Sequence, residues 1–473
     1  MITKSDIAVI GAGPAGCNAA LIAAEYDFSV VMLDEQASPG GQVWRAKSPA
    51  ILSAPQTPES VAGESIRNAI SQSNVSHLGS VRVWHIERSI DGFVIHYENA
   101  GVSASLNCRC LVIATGARET IQPIPGWTLP GVVGMAGATS IFKQDLIPIG
   151  SKMVVSGTGP LAFFVAAEQQ RLGGKVAAVV TSNTLLDWIK ILPAMLRRPG
   201  LLFRGLRWIT ALTVKRIPIY WGHTVTRVEG ESSVSRVEFT KIGKDWSPQG
   251  EPRFIDCDCV SLGNGLIPAF ESFQLAGISL EHRRDLGGWI PEAEQDGRTD
   301  VSGCFICGDG AGIRGSLAAE SHGKLAGLSA VAFLGAQINH PIDELRRENT
   351  RAATFGEAMS KLSIPRPGLG KLTTAQTVVC RCEGITRAEI EDQIDLGAQS
   401  TISVKSGVRV GMGPCGGKFC QTAISDLIAK AKSCPVSEIT PPTARPPLRP
   451  VSVNTLAGDF DYSDLPISKP SPL

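Results

Sequence analysis

The chain opens on a short apolar run, Ile7-Ala-Val-Ile10, that breaks into a glycine-rich turn, Gly11-Ala-Gly13-Pro14-Ala15-Gly16, and continues in small residues from Asn18 to Glu25. An apolar run bounded by glycine predicts a buried strand, and the small-residue stretch behind it predicts a helix. A second run, Ser29 to Leu33, ends in Asp34 and Glu35. The strand-and-turn pattern returns at Leu111 to Ile113 before Ala114-Thr115-Gly116-Ala117, and at Met153 to Ser156 before Gly157-Thr-Gly159-Pro-Leu-Ala162. It appears again at Cys304-Phe-Ile-Cys307 before Gly308-Asp309-Gly310. Strands alternating with helices predict an α/β protein with Rossmann-like units, whose turns are the one internal repeat along the chain.

Other stretches break this pattern. Trp188 to Leu212 mixes large apolar side chains with Lys190, Arg197, Arg198, Arg204 and Arg207 and is interrupted by Pro193, Pro199 and Gly200. Those charges and breaks exclude a bilayer span, so a helical insertion packed on its own domain is expected, with a membrane-surface or partner-docking hairpin as the alternative. Leu345 to Thr377 carries a polar helix and then Pro365-Arg-Pro-Gly-Leu-Gly370, and reads as a linker. Pro441 to Pro450 is proline-rich and should run extended across a surface or a partner.

A length of 473 residues calls for two or three folding units. Lysine plus arginine number 45 against 44 acidic residues, so no global field favours nucleic acid, and a small-molecule or protein partner is expected. Met1 to Asp6 leads straight into the first strand with no apolar segment of signal-peptide length, which makes the cytoplasm the expected compartment. Twelve cysteines in that setting point to reduced thiols and metal ligation rather than a disulfide scaffold.

The first turn has the context a dinucleotide site requires. Gly11 permits the tight turn, Gly13 lets the backbone approach a pyrophosphate, and Gly16 lets the helix pack closely with its N-terminus toward the phosphates. Asp34 and Glu35 lie eighteen and nineteen residues after Gly16, where a ribose-binding carboxylate belongs. The turn at Gly157 and Gly159 departs from this: Ala162 stands for the third glycine, and Val180, followed by Thr181, occupies the place of the acid. Tight NAD(P) binding and a degenerate or ADP/ATP-type site both stay open there.

The cysteines fall into two classes. Cys304 and Cys307 form a C-x-x-C inside an apolar strand, where alternation points them to opposite faces, so buried, inert thiols are expected. Cys108 with Cys110, Cys257 with Cys259, and Cys17 receive the same reading. In contrast, Cys380-Arg-Cys382 is followed after thirty-two residues by Cys415-Gly-Gly-Lys-Phe-Cys420, with glycines that let backbone N–H groups approach sulfur. Four thiolates in two close pairs suit a 2Fe-2S cluster. Zinc competes, although C-x-C with C-x4-C departs from the C-x2-C pairs of zinc ribbons, and unligated thiols are a third reading. Thr386 with Glu389 should form a capping box opening a helix from Arg387 to Leu396. No histidine, tyrosine or carboxylate can be assigned as a catalytic base, and His322 reads as packing.

Pro39-Gly40-Gly41-Gln42, Leu111 to Ala117, Cys304 to Gly310 and Glu320-Ser-His-Gly323-Lys-Leu-Ala-Gly327 resemble, in the same order, segments of two-dinucleotide-binding flavoproteins. There they lie near flavin, leave the FAD domain, bind FAD through the aspartate and begin the helix that closes over the isoalloxazine. The segments where such families hold a redox cysteine pair, just after Gln42 and from Gly131 to Ser140, contain no cysteine. Val378 to Ile428 resembles the bacterioferritin-associated ferredoxin-like domain. The whole order is similar to the FAD and iron-sulfur subunits of heteromeric opine oxidases (octopine and nopaline type), hydrogen cyanide synthase and D-hydroxyproline or related amino-acid dehydrogenases.

That resemblance implies an FAD-binding domain in two halves, 1–117 and 259–344, around an NAD(P)-like Rossmann domain, 118–258. A linker, 345–377, a small helical 2Fe-2S domain, 378–434, and a proline-rich tail, 435–473, follow. It implies FAD at Gly11, Gly13, Pro14, Ala15, Gly16, Asp34, Glu35, Gly41, Gln42, Ala114, Thr115, Gly116, Gly308 and Asp309, and a cluster on Cys380, Cys382, Cys415 and Cys420. The implied role is an electron-transfer subunit beside a smaller FAD-binding oxidase-like catalytic chain, with a third small subunit in some complexes. A self-sufficient NAD(P)H-dependent flavin reductase using Gly157 and Gly159 is the first alternative. A cluster-bearing scaffold or redox sensor is the second.

Overall fold

The computed structural model describes residues 3–457. The first unit runs β1 (Lys4–Ile10), α1 (Pro14–Ala23), β2 (Val30–Leu33), α2 (Pro58–Gln72) and β3 (Val75–Leu78). A meander follows, β4 (Val81–Ser89), β5 (Gly92–Asn99) and β6 (Val102–Ile113). A short strand, β7 (Ala117–Glu119), leads to a second unit of β8 (Val132–Gly134), α3 (Met135–Gln144), β9 (Lys152–Gly157), α4 (Leu161–Arg171) and β10 (Lys175–Thr181). The helices α5 (Leu185–Leu196) and α6 (Pro199–Val214) come next, then β11 (Ile219–Trp221), the ribbon β12 (His223–Glu229), β13 (Arg236–Ile242) and β14 (Pro248–Asp256), and β15 (Cys259–Gly263). The chain returns to the first unit through β16 (Leu266–Pro268), α7 (Glu271–Ala276), β17 (Leu280–Arg283), β18 (Gly288–Pro291), β19 (Cys304–Ile306) and α8 (Ser316–Phe333). Beyond α9 (Ile342–Ser360) lie β20 (Val378–Cys380), β21 (Ile385–Thr386), α10 (Arg387–Asp395), α11 (Thr401–Val408), α12 (Gln421–Lys432) and α13 (Val453–Ala457).

The first unit is a seven-stranded sheet in the order β3-β2-β1-β6-β5-β4, with β19 also on β6. The long β6 changes partner along its length: Cys108 faces Phe93 of the antiparallel β5, whereas Leu111 faces Cys304 of the parallel β19. This is how the returning half joins the first half in one sheet. The second unit is a five-stranded sheet, β11-β10-β9-β15-β8, parallel throughout.

Helix α1 begins within the glycine turn, earlier than the small-residue stretch alone suggests, because Pro14 fits the first helical position and Gly13 enters it extended. It is buried between the sheet and α8 at contacts that exclude side chains. A Cβ on Gly16 would lie 1.8 Å from the Gly11 carbonyl oxygen, one on Gly323 2.1 Å from that of Ala15, and one on Gly327 2.5 Å from that of Ala19.

The segment read as a linker is packed rather than free. Helix α9 lies on α8, Arg314 Nε donates to Glu357 at 2.9 Å, and Thr373 Oγ1 donates to the Pro123 carbonyl at 2.6 Å. Helices α10, α11 and α12 surround a small core that includes Val379, Ile390, Val404 and Ile428. The capping box is present: Thr386 N–H donates to Glu389 at 2.8 Å, and Glu389 N–H to Thr386 Oγ1. This domain docks on the first part of the chain through Trp127 Nε1, which donates to the Val378 carbonyl at 2.6 Å.

The tail is extended over the chain's own first sheet. Leu448 N–H donates to Trp84 O at 2.8 Å, Arg82 Nη1 donates to Pro450 O at 2.8 Å, and Arg449 pairs with Glu35 at 2.7 Å. The tail beyond 457 lies outside the described residues. The inner faces of α5 and α6 pack on α4, with Trp188 against Phe163 and Trp208 against Phe164, as a domain insertion should.

Gly323→Val should lower unfolding stability by roughly 1–3 kcal/mol or more, because the backbone of α1 cannot retreat. Gly205→Ala, in mid-α6 with no atom within 4 Å of the new methyl, should be neutral or stabilising. Urea titration of both variants checks the pair, and equal stability would contradict the close-approach reading.

Candidate nucleotide and cluster sites

At the first turn Gly11 adopts φ +104°. Asp34, following β2, accepts from Ala12 N–H at 2.5 Å and from Gln36 N–H at 2.6 Å. Its burial pushes the carboxyl up, against the pull of those two donors. The loop 40–42 closes on the turn: Gly40 N–H donates to Ala12 O at 2.7 Å, and a Cβ on Gly41 would lie 2.8 Å from Gly13 Cα. Gln42 Oε1 accepts from Ser140 at 2.9 Å, which ties the loop to α3.

The returning half completes this site. Gly308, at φ +75°, would bring a Cβ within 2.8 Å of Ala15. Asp309 accepts from Arg314 N–H at 2.9 Å and Gly315 N–H at 2.7 Å, and burial raises its pKa. A Cβ on Gly11 would lie 2.4 Å from Ala114 O, and Thr115 Oγ1 donates to Ala269 O at 3.2 Å. In the midst of these contacts, no atom lies within 4 Å of a Cβ position on Gly13, Gly116 or Gly315. The N-terminus of α1 has no side-chain cap. Uncapped N–H groups behind an open glycine fit a dinucleotide pyrophosphate. Of the residues read from the sequence, Glu35 stands apart, its carboxylate engaged by Arg449 of the tail.

The second turn is built differently. Gly159 N–H donates to Asn183 Oδ1 at 2.8 Å, and Asn183 Nδ2 donates to Leu362 O at 2.8 Å. A Cβ on Gly159 would lie 2.8 Å from Ser363 Oγ. Arg366 secures this strap by pairing with Asp187 at 2.7 Å, donating to Lys244 O at 2.9 Å and lying over the Trp246 ring at 4.9 Å. Residues 361–366 thus cover the turn that Gly157 and Gly159 form. Beside the strap is a cavity of about 600 Å³ whose lining includes Lys190, Arg197, Glu357 and Lys361. Asn183 and Ser363 carried no sequence signal, being polar residues in unremarkable stretches.

The four C-terminal cysteines come to lie near one another. The Cys420 thiol beside Cys380, with backbone N–H groups of Gly411, Glu383 and Cys382, draws Cys380 down to about 5, while Cys420 Sγ itself donates to the Gly417 carbonyl at 3.7 Å. Burial raises the Cys382 thiol, with Cys415 as its neighbour. Cys380 thus neighbours Cys420, and Cys382 neighbours Cys415. Gly411, Gly416 and Gly417 have φ of +80°, +64° and +80°, holding the loop close around the thiols. Among the described residues no three His, Cys, Asp or Glu side chains converge on a single ion position. Four neighbouring cysteines are the ligand number that a 2Fe-2S cluster needs.

The remaining thiols are packing groups. Cys304 and Cys307 are buried in separate core clusters on opposite faces, and burial pushes Cys307 up to about 12. Cys17 Sγ donates to Ala12 O at 3.2 Å. His322 is likewise buried in α8, which drives it down to about 4. The N-terminus of α3, in the cysteine-free segment Gly131 to Ser140, instead holds Glu119: the carboxylate accepts from Ala136 N–H at 3.1 Å and burial raises it to about 8. Its sequence context, a charged residue in a short strand, did not mark it as buried.

Residues 5–324 match the pyridine nucleotide-disulphide oxidoreductase family, and residues 378–430 match the BFD-like [2Fe-2S] binding domain. The chain is 30% identical to an opine oxidase subunit of Agrobacterium tumefaciens, over 96% of this chain and 91% of that one. It is 29% identical to hydrogen cyanide synthase subunit HcnB of Pseudomonas aeruginosa, over 89% and 92%. The L-proline dehydrogenase of P. horikoshii shares the fold at a TM-score of 0.71 and 21% identity, over 97% of this chain and 80% of that one. Among the described residues no helix is long and apolar enough to cross a membrane.

The protein purified without oxygen should contain iron and acid-labile sulfide in equal amounts, and Cys420→Ser should abolish both while leaving any flavin spectrum intact. Zinc in place of iron would overturn the cluster reading.

Proposed function

Because this chain belongs to the pyridine nucleotide-disulphide oxidoreductase family, and within it to the group that holds these opine oxidase and HcnB subunits, we propose that it is the electron-relay subunit of a heteromeric amine, opine or amino-acid dehydrogenase. The supporting observation is the contrast between an open first turn and a covered second turn in a chain that also gathers four thiols. In this reading FAD lies on Gly11, Gly13, Pro14, Ala15 and Gly16, with Asp34 toward the ribose, Gly41 and Gln42 along one wall, and Ala114 to Gly116, Gly308 and Asp309 along the other. Cys380, Cys382, Cys415 and Cys420 hold the 2Fe-2S cluster.

When bound, a flavin exchanges electrons in pairs and an iron-sulfur centre exchanges them singly. The chain's own residues supply position and field. The α1 N-terminus receives the pyrophosphate, and Asp34 steadies the turn through Ala12. Arg118 links the two sites: it pairs with Glu271 at 2.5 Å and donates to Gln421 of α12, next to Cys420, at 3.4 Å. Lys418 donates to Cys415 O at 3.0 Å and Leu448 O at 3.1 Å, tying the cluster loop to the tail. With the four C-terminal thiols assigned to a cluster and the other core thiols buried, no pair is left for disulfide reduction.

Substrate oxidation is assigned to a smaller FAD-binding oxidase-like partner, since the opine oxidase and hydrogen cyanide synthase relatives are each one subunit of a larger enzyme. The reductase alternative is disfavoured by the strap over Gly159 and by Val180, which offers no hydrogen bond to a ribose.

NADH and NADPH should therefore fail to bleach the bound flavin at catalytic rates in anaerobic stopped-flow. Rapid bleaching would favour the self-sufficient reductase. The isolated chain should likewise be inactive on octopine, nopaline, D-proline, hydroxyproline and glycine with a dye acceptor, and gain activity on one of them when co-expressed with its oxidase-like partner. Robust turnover by the chain alone would place the catalytic site here.

A further inference from the structure

Strand β7 carries two charged side chains in adjacent positions, which alternation sends to opposite sides. Glu119 goes inward to the N-terminus of α3. Arg118 goes toward the cluster domain. It stands two residues after Gly116 of the open turn, and its Nη2 donates to Gln421, the residue that follows Cys420, at 3.4 Å. The side chain is 14% exposed, lies over the Phe270 ring at 5.4 Å, and holds both oxygens of Glu271 through Nη1, at 2.5 and 2.7 Å. Its buried Nε finds no partner among the described residues. A guanidinium packed at the boundary between the two sites is thus only partly spent on its acid.

The same carboxylate serves a second cation. Lys418, half-buried in the loop between Cys415 and Cys420, faces Glu271, Arg118 and Cys415. It donates to carbonyls, Cys415 O at 3.0 Å and Leu448 O at 3.1 Å. Arg381, between Cys380 and Cys382, lies over the rings of Phe419 and Trp127 at 4.4 and 5.9 Å. Glu383, next to Cys382, is itself paired with Arg409 at 3.2 Å. These thiols therefore face more positive charge than Glu271 offsets. A four-thiolate cluster takes on a further negative charge when it is reduced, so cations held beside it away from water stabilise the reduced state.

We propose that Arg118 and Lys418 act on the cluster by charge, raising its reduction potential relative to the flavin, while Glu271 sets how much of the Arg118 charge the cluster feels. This deepens the relay reading and rests on it. The step favoured is the passage of one electron from reduced flavin to oxidised cluster: the flavin is oxidised, the cluster is reduced, and no bond forms or breaks.

The full-length protein and its single variants are titrated anaerobically with dithionite and mediator dyes. Electron paramagnetic resonance reads the reduced cluster and visible absorbance reads the flavin. Arg118→Gln and Lys418→Gln should each lower the cluster potential, shifting the electron partition roughly tenfold toward the flavin, about 59 mV for a one-electron couple. Glu271→Gln should raise it, and Arg118→Lys should keep it near the wild-type value. The opposite signs separate charge from structure, because Arg118→Gln and Glu271→Gln break the same contact and a merely structural tie would move the potential one way in both. If Arg118→Gln fails to fold, Lys418→Gln and Glu271→Gln decide by the same signs. Shifts of one sign throughout, or a cluster potential that the variants leave unmoved, would overturn this inference and leave the relay reading intact. Protein that holds flavin but no iron would overturn both.

Discussion

The first glycine turn depends on backbone approaching backbone where no side chain fits. Gly16 against Gly11, Gly323 against Ala15 and Gly327 against Ala19 let α1 sink between the sheet and α8. With α1 held there, its N-terminal N–H groups face the opening over Gly13, and the turn can be pinned by Asp34 from one strand end while Asp309 comes in from another. A methyl group at any of these contacts would lift the helix and misalign the whole cradle. Close packing, rather than any single polar contact, is what turns a glycine motif into a site.

The two Rossmann-like turns differ because of what the chain does later. The segment after α9 crosses the second turn, where Asn183 and Ser363 take up the space and the donor that a nucleotide would need. It then leads to β20 and the cluster domain. One stretch thus covers the second turn and delivers the cysteines, while the tail returns from that domain to Glu35 and the first sheet. The cluster domain is held at both ends, by Trp127 at its entry and by Leu448 and Arg449 at its exit.

Much of the architecture was legible locally. The glycine turns, the acid following β2, the capping box at Thr386 and the inert character of Cys304 and Cys307 each depend on residues a few positions apart, whose allowed φ/ψ and side-chain direction follow from spacing. The start of α1 is also encoded locally, by Pro14 at the first helical position, although the small residues that follow give the more conspicuous signal. Glu119 was not legible, because a charged residue in a short strand reads as exposed, and only the arrival of α3 buries it.

The amino-acid sequence by itself determined which residues could make a dinucleotide turn and which thiols could hold iron, since those capacities are properties of glycine, aspartate and cysteine in their local frames. The tertiary structure alone decided how they are used. Cys420 comes to lie beside Cys380, Glu35 is taken by Arg449 414 residues away, and Gly159 is covered through Asn183 and Leu362, 179 residues apart. Contacts between distant segments depend on how whole elements pack, and no local pattern encodes which of two chemically competent surfaces ends up covered.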